Sequence, residues 1–181
     1  MDAIPTTHNG VHFRSRLEAT RPAAFDILGW PWRYEPIDLV GYIPDFIIDW
    51  PRAPILFEVK PCLTLPELYQ HTEKIDGAGW AGEAVIVGAG KVTAEAQDDP
   101  QPIIGAMSQH QPCESGWDAA VLIKCLACNS YSIIHFSGMW LCQRCGAYEG
   151  NGHIGWLPQA SFDDLWREAG NKTQWRPGNG R

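Results

Sequence analysis

Two short apolar runs, YIPDFIID at residues 42–49 and ILFEVK at residues 55–60, flank a turn containing Pro51 and Pro54. Each is too short for a typical helix and is apolar on both alternating sides, the pattern of strands covered from above and below. A chain that contains them must build a sheet with helices on each face. Yet the runs are interrupted by Asp45, Glu58 and Lys60, and charges are costly to bury. Along a strand Glu58 and Lys60 point to one side while Phe57 and Val59 point to the other. Pairing the runs as a hairpin brings Asp45 near Glu58, and two carboxylates held together repel unless a cation lies between them. Mg²⁺ meets that need with hard oxygen ligands in octahedral geometry. A lysine beside it orients or deprotonates a water and offsets phosphate charge.

The neighbouring segments supply the covering layers. HFRSRLEATRPAAFDILGW reads as an amphipathic helix, with Leu17, Ala24, Phe25 and Leu28 on one face and Gly29 as its stop. Pro22 inside it predicts a kink, or a restart capped by Thr20. A helix is expected over residues 65–76, with Pro66 in its first turn, then buried strands at 84–87 and 121–124 and a final helix over about 162–170. Residues 89–118, rich in Gly, Gln, Asp and Pro, read as loop. The order of helix, strands, helix and strand indicates an α/β or α+β core.

Pro44-Asp45, twelve intervening residues, then Glu58-Val59-Lys60 resembles the signature of the PD-(D/E)XK nuclease superfamily. The resemblance implies that Asp45 and Glu58 bind Mg²⁺ or Mn²⁺ from neighbouring strands, that the Val59 carbonyl contributes to the metal, and that Lys60 assists hydrolysis. FRSRLEA resembles the preceding helix of junction resolvases and transposon end-cleaving nucleases, which makes Glu18 a further metal-binding carboxylate. The order of helix glutamate, PD and ExK is similar to that of small phage and bacterial members that carry a cysteine module. The resemblance covers residues 12–88 and implies a restriction-endonuclease-like mixed central sheet flanked by helices, acting on DNA. Folds of this kind often dimerise to cut two strands. The plainer alternative makes Asp45 a turn residue and Glu58–Lys60 a same-face ion pair at a strand end. Gln70 falls where some nuclease families use a glutamine, although a solvated helix face accounts for it as well.

KCLACNSYSIIHFSGMWLCQRCGAYEG holds Cys125-x2-Cys128 and Cys142-x2-Cys145 with thirteen residues between the pairs. Two such knuckles suit tetrahedral Zn²⁺, with SYSIIHFSGMW forming a small hairpin between them. The segment resembles a zinc ribbon, and Gly146 fits the tight turn after the second knuckle. Four cysteines leave no position for water, so the zinc is structural. Disulfides are disfavoured in a reducing compartment, and a redox CxxC is expected once, at a helix start. Cys62 and Cys113 read as ordinary thiols. His135 and His153 flank a site that is already complete. The tryptophans, among them Trp30, Trp32, Trp140 and Trp175, read as core or lid, with base stacking an option for Trp140.

The organisation expected is therefore a nuclease-like core at 1–95, a linker at 96–118, a strand and zinc ribbon at 119–150, and a helix and tail at 151–181. No apolar run is long enough to cross a membrane, and MDAIPTTHNG is unlike a secretory leader, so a cytoplasmic location is expected. The net charge of −7 comes from residues 61–120, which carry 2 basic and 9 acidic residues. Such a surface cannot grip nucleic acid everywhere; a local basic face or bound cations would have to do it. Besides an endonuclease, the sequence leaves open an inactive nuclease fold that binds DNA or protein. It also leaves an acidic inhibitor, although no long acidic run is present.

Overall fold

The computed structural model describes residues 5–94, 102–111 and 114–174. Its first element is a hairpin of β1 (Thr6–His8) and β2 (Val11–Phe13), turned at Asn9 and Gly10 with φ of 48° and 80°. Both positive φ values are what a two-residue hairpin turn of matching twist requires. The expected helix therefore begins later, as α1 (Arg16–Leu28). Ser15 caps it by accepting the Glu18 N–H, and Gly29 closes it in the left-handed region at φ 69°. The helix runs through Pro22 without restarting at Thr20. Thr20 instead hydrogen-bonds back to the Arg16 carbonyl, and Pro22 lies buried within the helix.

The strands β3 (Trp32–Tyr34), β4 (Phe46–Asp49) and β5 (Pro54–Val59) form an antiparallel meander. The chain crosses over through α2 (Leu65–Tyr69) and α3 (Thr72–Asp76) to β6 (Ala84–Val87), parallel to β5. The single helix expected over 65–76 is two short ones, broken at Gln70 and His71; Thr64 and Glu67 form a capping box at the first.

The expected linker at 96–118 is also different where it is described. Residues Ile103–Gln111 form β7, and the strand expected at 121–124 extends back to make β8 (Glu114–Cys125). These antiparallel strands continue the sheet beyond β6. Gly105 permits the pairing, because a side chain there would collide with the Ile86 carbonyl. β9 (Tyr131–His135) and β10 (Ile154–Trp156) both pair with β8, giving the order β10-β8-β7-β6-β5-β4-β3 with β9 branching from β8. The helix α4 (Gln159–Lys172) extends the one expected at 162–170 by a few residues at its start.

The result is a mixed central sheet between helical layers. On one face Ala19, Ala23, Phe25, Phe162, Leu165 and Ala169 from α1 and α4 pack over Phe46, Phe57, Val85 and Leu122. On the other, Leu65, Leu68 and Ile75 pack over Leu56, Ile86, Ala106 and Val121. One charge is set into the first layer. Arg21 is 1% exposed, donates to the Gly88 carbonyl and lies 4.3 Å from the Trp166 ring centre. Burial lowers its guanidinium to about 9. Among the described residues no helix is long and apolar enough to cross a membrane.

Candidate functional site

β4 and β5 place their charges at one shared end because the register Phe46↔Phe57 leaves Asp45 beside Glu58. Asp45 is 5% and Glu58 6% exposed. Each carboxylate is fixed by the other strand: Asp45 Oδ2 accepts the Val59 N–H at 2.8 Å, and Glu58 Oε2 accepts the Asp45 N–H at 3.4 Å. Tyr42 donates its hydroxyl to Glu58 Oε2 at 2.6 Å, and Lys60 Nζ donates to Glu58 Oε1 at 2.6 Å. The same-side placement of Glu58 and Lys60 is thus realised as an ion pair.

Glu18 approaches from α1. Its Oε1 accepts from the Ser15 hydroxyl at 3.0 Å, and its Oε2 accepts from Tyr34 at 2.9 Å. The group that connects Glu18 to the strand end is Arg14. Its guanidinium lies 2.9 Å from Asp45 Oδ1, 3.0 Å from Glu35 Oε1 and 3.6 Å from Glu18 Oε2. Glu35 reaches it from a left-handed conformation at φ 42°, uncommon for a residue with a side chain, with its N–H bonded to the Asp45 carbonyl. Four carboxylates therefore face two cations.

Asp45 registers that imbalance. Burial, then the charge of Glu58, pushes its carboxyl up from 3.8 to about 7. The hydrogen bond from the Val59 N–H and the charge of Lys60 oppose this without outweighing it. Because the folded carboxyl holds its proton more tightly than the unfolded one, folding binds protons between the two values. The metal-free protein should lose stability as pH rises from about 4 to about 7. Thermal unfolding in EDTA across that range checks the sign; an Asp45→Asn variant should lose this part of the dependence.

Arg14, Tyr34, Glu35 and Tyr42 were not predicted as site residues. Tyr34 ends β3, Tyr42 opens the run expected as a strand at 42–49 but precedes β4, which begins only at Phe46, and Arg14 and Glu35 lie in connections; only the folded meander gathers them. Gln70 is exposed at the end of α2, as a solvated position should be. Cys62 is half-buried, with its sulfur 3.8 Å from His71 Nε2. Cys113 and Trp175 lie outside the described residues.

The second centre lies where β8 ends. Cys125, Cys128, Cys142 and Cys145 bring their sulfurs within 4.8 Å of one another; among the described residues no other group of three or more possible ligands does so. The spacings are 3.6 Å for Cys125–Cys145 and 3.7 Å for Cys128–Cys142. Both are far beyond a disulfide bond, about 2 Å. They match the edge of a tetrahedron with metal–sulfur bonds of about 2.3 Å, which is about 3.8 Å. Gly146 makes the second knuckle at φ 77°, its N–H bonded to the Cys142 carbonyl. Burial raises the Cys142 thiol, but hydrogen bonds from Ser130, Ser132 and nearby backbone outweigh it and lower the thiol to about 6.

The segment between the knuckles does not form a hairpin of its own. Its first half is β9, which pairs back onto β8, and a turn follows. Trp140 packs edge-on against Trp156 at 4.2 Å and donates to the Phe136 carbonyl. Trp30 is core.

Compared with known proteins, the chain matches no family model, no curated protein and no solved structure.

Proposed function

We propose that this protein is a metal-dependent DNA endonuclease that hydrolyses phosphodiester bonds with Mg²⁺ or Mn²⁺, braced by a structural Zn²⁺ at the four cysteines. One observation carries the reading: Asp45 and Glu58 are almost fully buried against each other at the end of an otherwise apolar hairpin. Even with Lys60 and Arg14 paired to them, two desolvated carboxylates side by side cost stability, and a merely structural strand end has no need of them. Asp45 and Glu58 would hold the divalent ion, with the Val59 carbonyl as a further oxygen; the Glu18 carboxylate, bonded to Ser15 and Tyr34 and not gathered within 4.8 Å of the other two, would have to turn in to join them. When bound, the ion supplies Lewis-acid polarisation of the phosphate and a more acidic water.

The chain's own residues have separable parts in this reading. Lys60, paired with Glu58, would hold a water or a phosphate oxygen beside it. Arg14 holds Asp45 Oδ1 and, being on the solvent side, is the group that gives way to a cation and turns to the phosphate backbone. Tyr42 fixes the Glu58 rotamer. The zinc is assigned from its donor set: soft thiolates in tetrahedral array select it over Mg²⁺.

The deciding experiment incubates the purified protein with linear, supercoiled, branched and single-stranded DNA in Mg²⁺, Mn²⁺ or EDTA. Cleavage of at least one substrate that stops in EDTA is expected. Binding without cleavage in every metal would favour the inactive, DNA-binding alternative.

Glu18 has a rival role, because it also closes the cap of α1. Glu18→Gln keeps the size and one acceptor oxygen, turns a donor NH2 toward the other hydroxyl, and removes the charge. It should leave stability within about 1 kcal/mol, the scale of a helix cap, and raise the Mg²⁺ needed for half-maximal cleavage. Unchanged cleavage at limiting Mg²⁺ would confine Glu18 to the cap.

A further inference from the structure

At the opposite end of the β4–β5 hairpin from Asp45 lies a second polar site. A cavity of about 390 Å³ opens between the β4–β5 turn and the cysteine centre, with Arg52, Glu83, Gln109, His135, Gly138 and Gln143 around it. Its volume falls in the range that holds small ligands, roughly 300–1,000 Å³.

The residue that points to a ligand is Gln109. It is 6% exposed, borders the cavity from β7, and its side-chain amide makes no hydrogen bond to another described residue. That amide is not among the fully buried polar groups left without a partner, so it is open to the cavity and available to a ligand there. Glycine at 138 makes room for that amide: a Cβ there would lie 3.0 Å from Gln109 Oε1 and 3.1 Å from Nε2. Gln143, 8% exposed, is anchored by its N–H to the Ser132 hydroxyl, and its side-chain amide reaches Glu83 only at 3.5 Å. Two amides therefore border one space, each with a donor and an acceptor in a plane. Met107 and Ile134 supply apolar surface, and the one basic group, Arg52, stands at the turn. The cavity of about 450 Å³ beside Trp30 and Trp50 has its carboxylates already paired. Its Asp26 already accepts from His8, Asn9 and Trp32, and its Asp49 from Arg33.

We infer that the cavity bordered by Gln109 and Gln143 binds a nucleobase, with Arg52 placed for its phosphate. Planar heterocycles with adjacent donors and acceptors complement amide side chains, and an apolar floor accepts their faces. The base comes either from a free nucleotide or from an unpaired position of a strand. The inference is independent of the nuclease reading: a protein that binds nucleotides here but cuts nothing would leave it intact.

Calorimetric titration of the full chain with the four ribonucleoside monophosphates, ribose 5-phosphate, inorganic phosphate and a single-stranded oligonucleotide tests it. At least one base-bearing ligand should saturate at one site, with ribose 5-phosphate and phosphate at least about tenfold weaker, the scale of losing hydrogen bonds. Saturation by the oligonucleotide alone would identify the source as a strand. Gln109→Leu should weaken binding about tenfold or more while zinc content and thermal midpoint hold. If that variant does not fold, Gly138→Ala, which pushes on the same amide, should weaken binding in its place. No binding by any base-bearing ligand, equal binding of ribose 5-phosphate, or binding unchanged in a folded variant overturns the proposal.

Discussion

Lys60→Ala is expected to bind Mn²⁺ as well as the parent protein, or better, while cleaving DNA at least about a hundredfold more slowly, the usual scale for losing one positioned proton-transfer or charge-stabilising group. The separation follows from the geometry. The ammonium of Lys60 sits 2.6 Å from Glu58 Oε1 and has no lone pair for a metal; removing it frees a carboxylate oxygen and takes a positive charge from the site. Glu58→Gln should behave oppositely. It keeps the size of the side chain but loses the charge that would hold a cation, so Mn²⁺ affinity and cleavage should fall together. Titration calorimetry with Mn²⁺ and a cleavage assay on both variants decide it. If both bind metal normally and cut normally, the two residues are only an ion pair at a strand end and the endonuclease reading is wrong.

Cys142→Ser should be the most damaging single substitution for stability. Cys142 is fully buried and lies 3.7 Å from Cys128, so its loss removes a ligand and leaves a polar hydroxyl in its place. Structural zinc sites contribute about 10–16 kcal/mol of apparent folding free energy in small peptides. Elemental analysis should find one zinc per chain in the parent and much less in the variant. The loss should not stay local, because Cys125 is also the last residue of β8. Hydrogen exchange should accelerate along β8, β9 and β10 before it does at β4 and β5. A metal-free protein with unchanged stability would remove zinc from the fold.

The features legible in the sequence are those set by local rules. Strand alternation alone places Glu58 and Lys60 on one side, and the spacing of four cysteines alone predicts that they meet. A Gly stop and an apolar stripe locate the end of α1. The features that were missed depend on distant pairing. β7 reads as loop because its Gly, Ser and Gln residues have little strand propensity; its conformation is fixed by Gly105 passing closely over β6 and by the long partner β8. The opening hairpin had a local signal, Asn9-Gly10, that the stronger apolar stripe beginning just after it obscured. Arg14 and Glu35 enter the site only because the β3–β4 connection and the hairpin edge converge on Asp45.

The sheet order also determines where this chain can be cut. Residues 1–95 look self-contained by resemblance, but β6 is the middle of a continuous sheet, with Val85, Ile86 and Val87 paired to β7. Stopping the chain before β7 would strip one whole side of an all-buried strand and leave its N–H and C=O groups facing solvent beside bare Ile and Val. That is a template for strand addition by another copy. The shortened protein would stack on itself instead of folding as a smaller unit, and any engineered version has to carry the sheet through to β8.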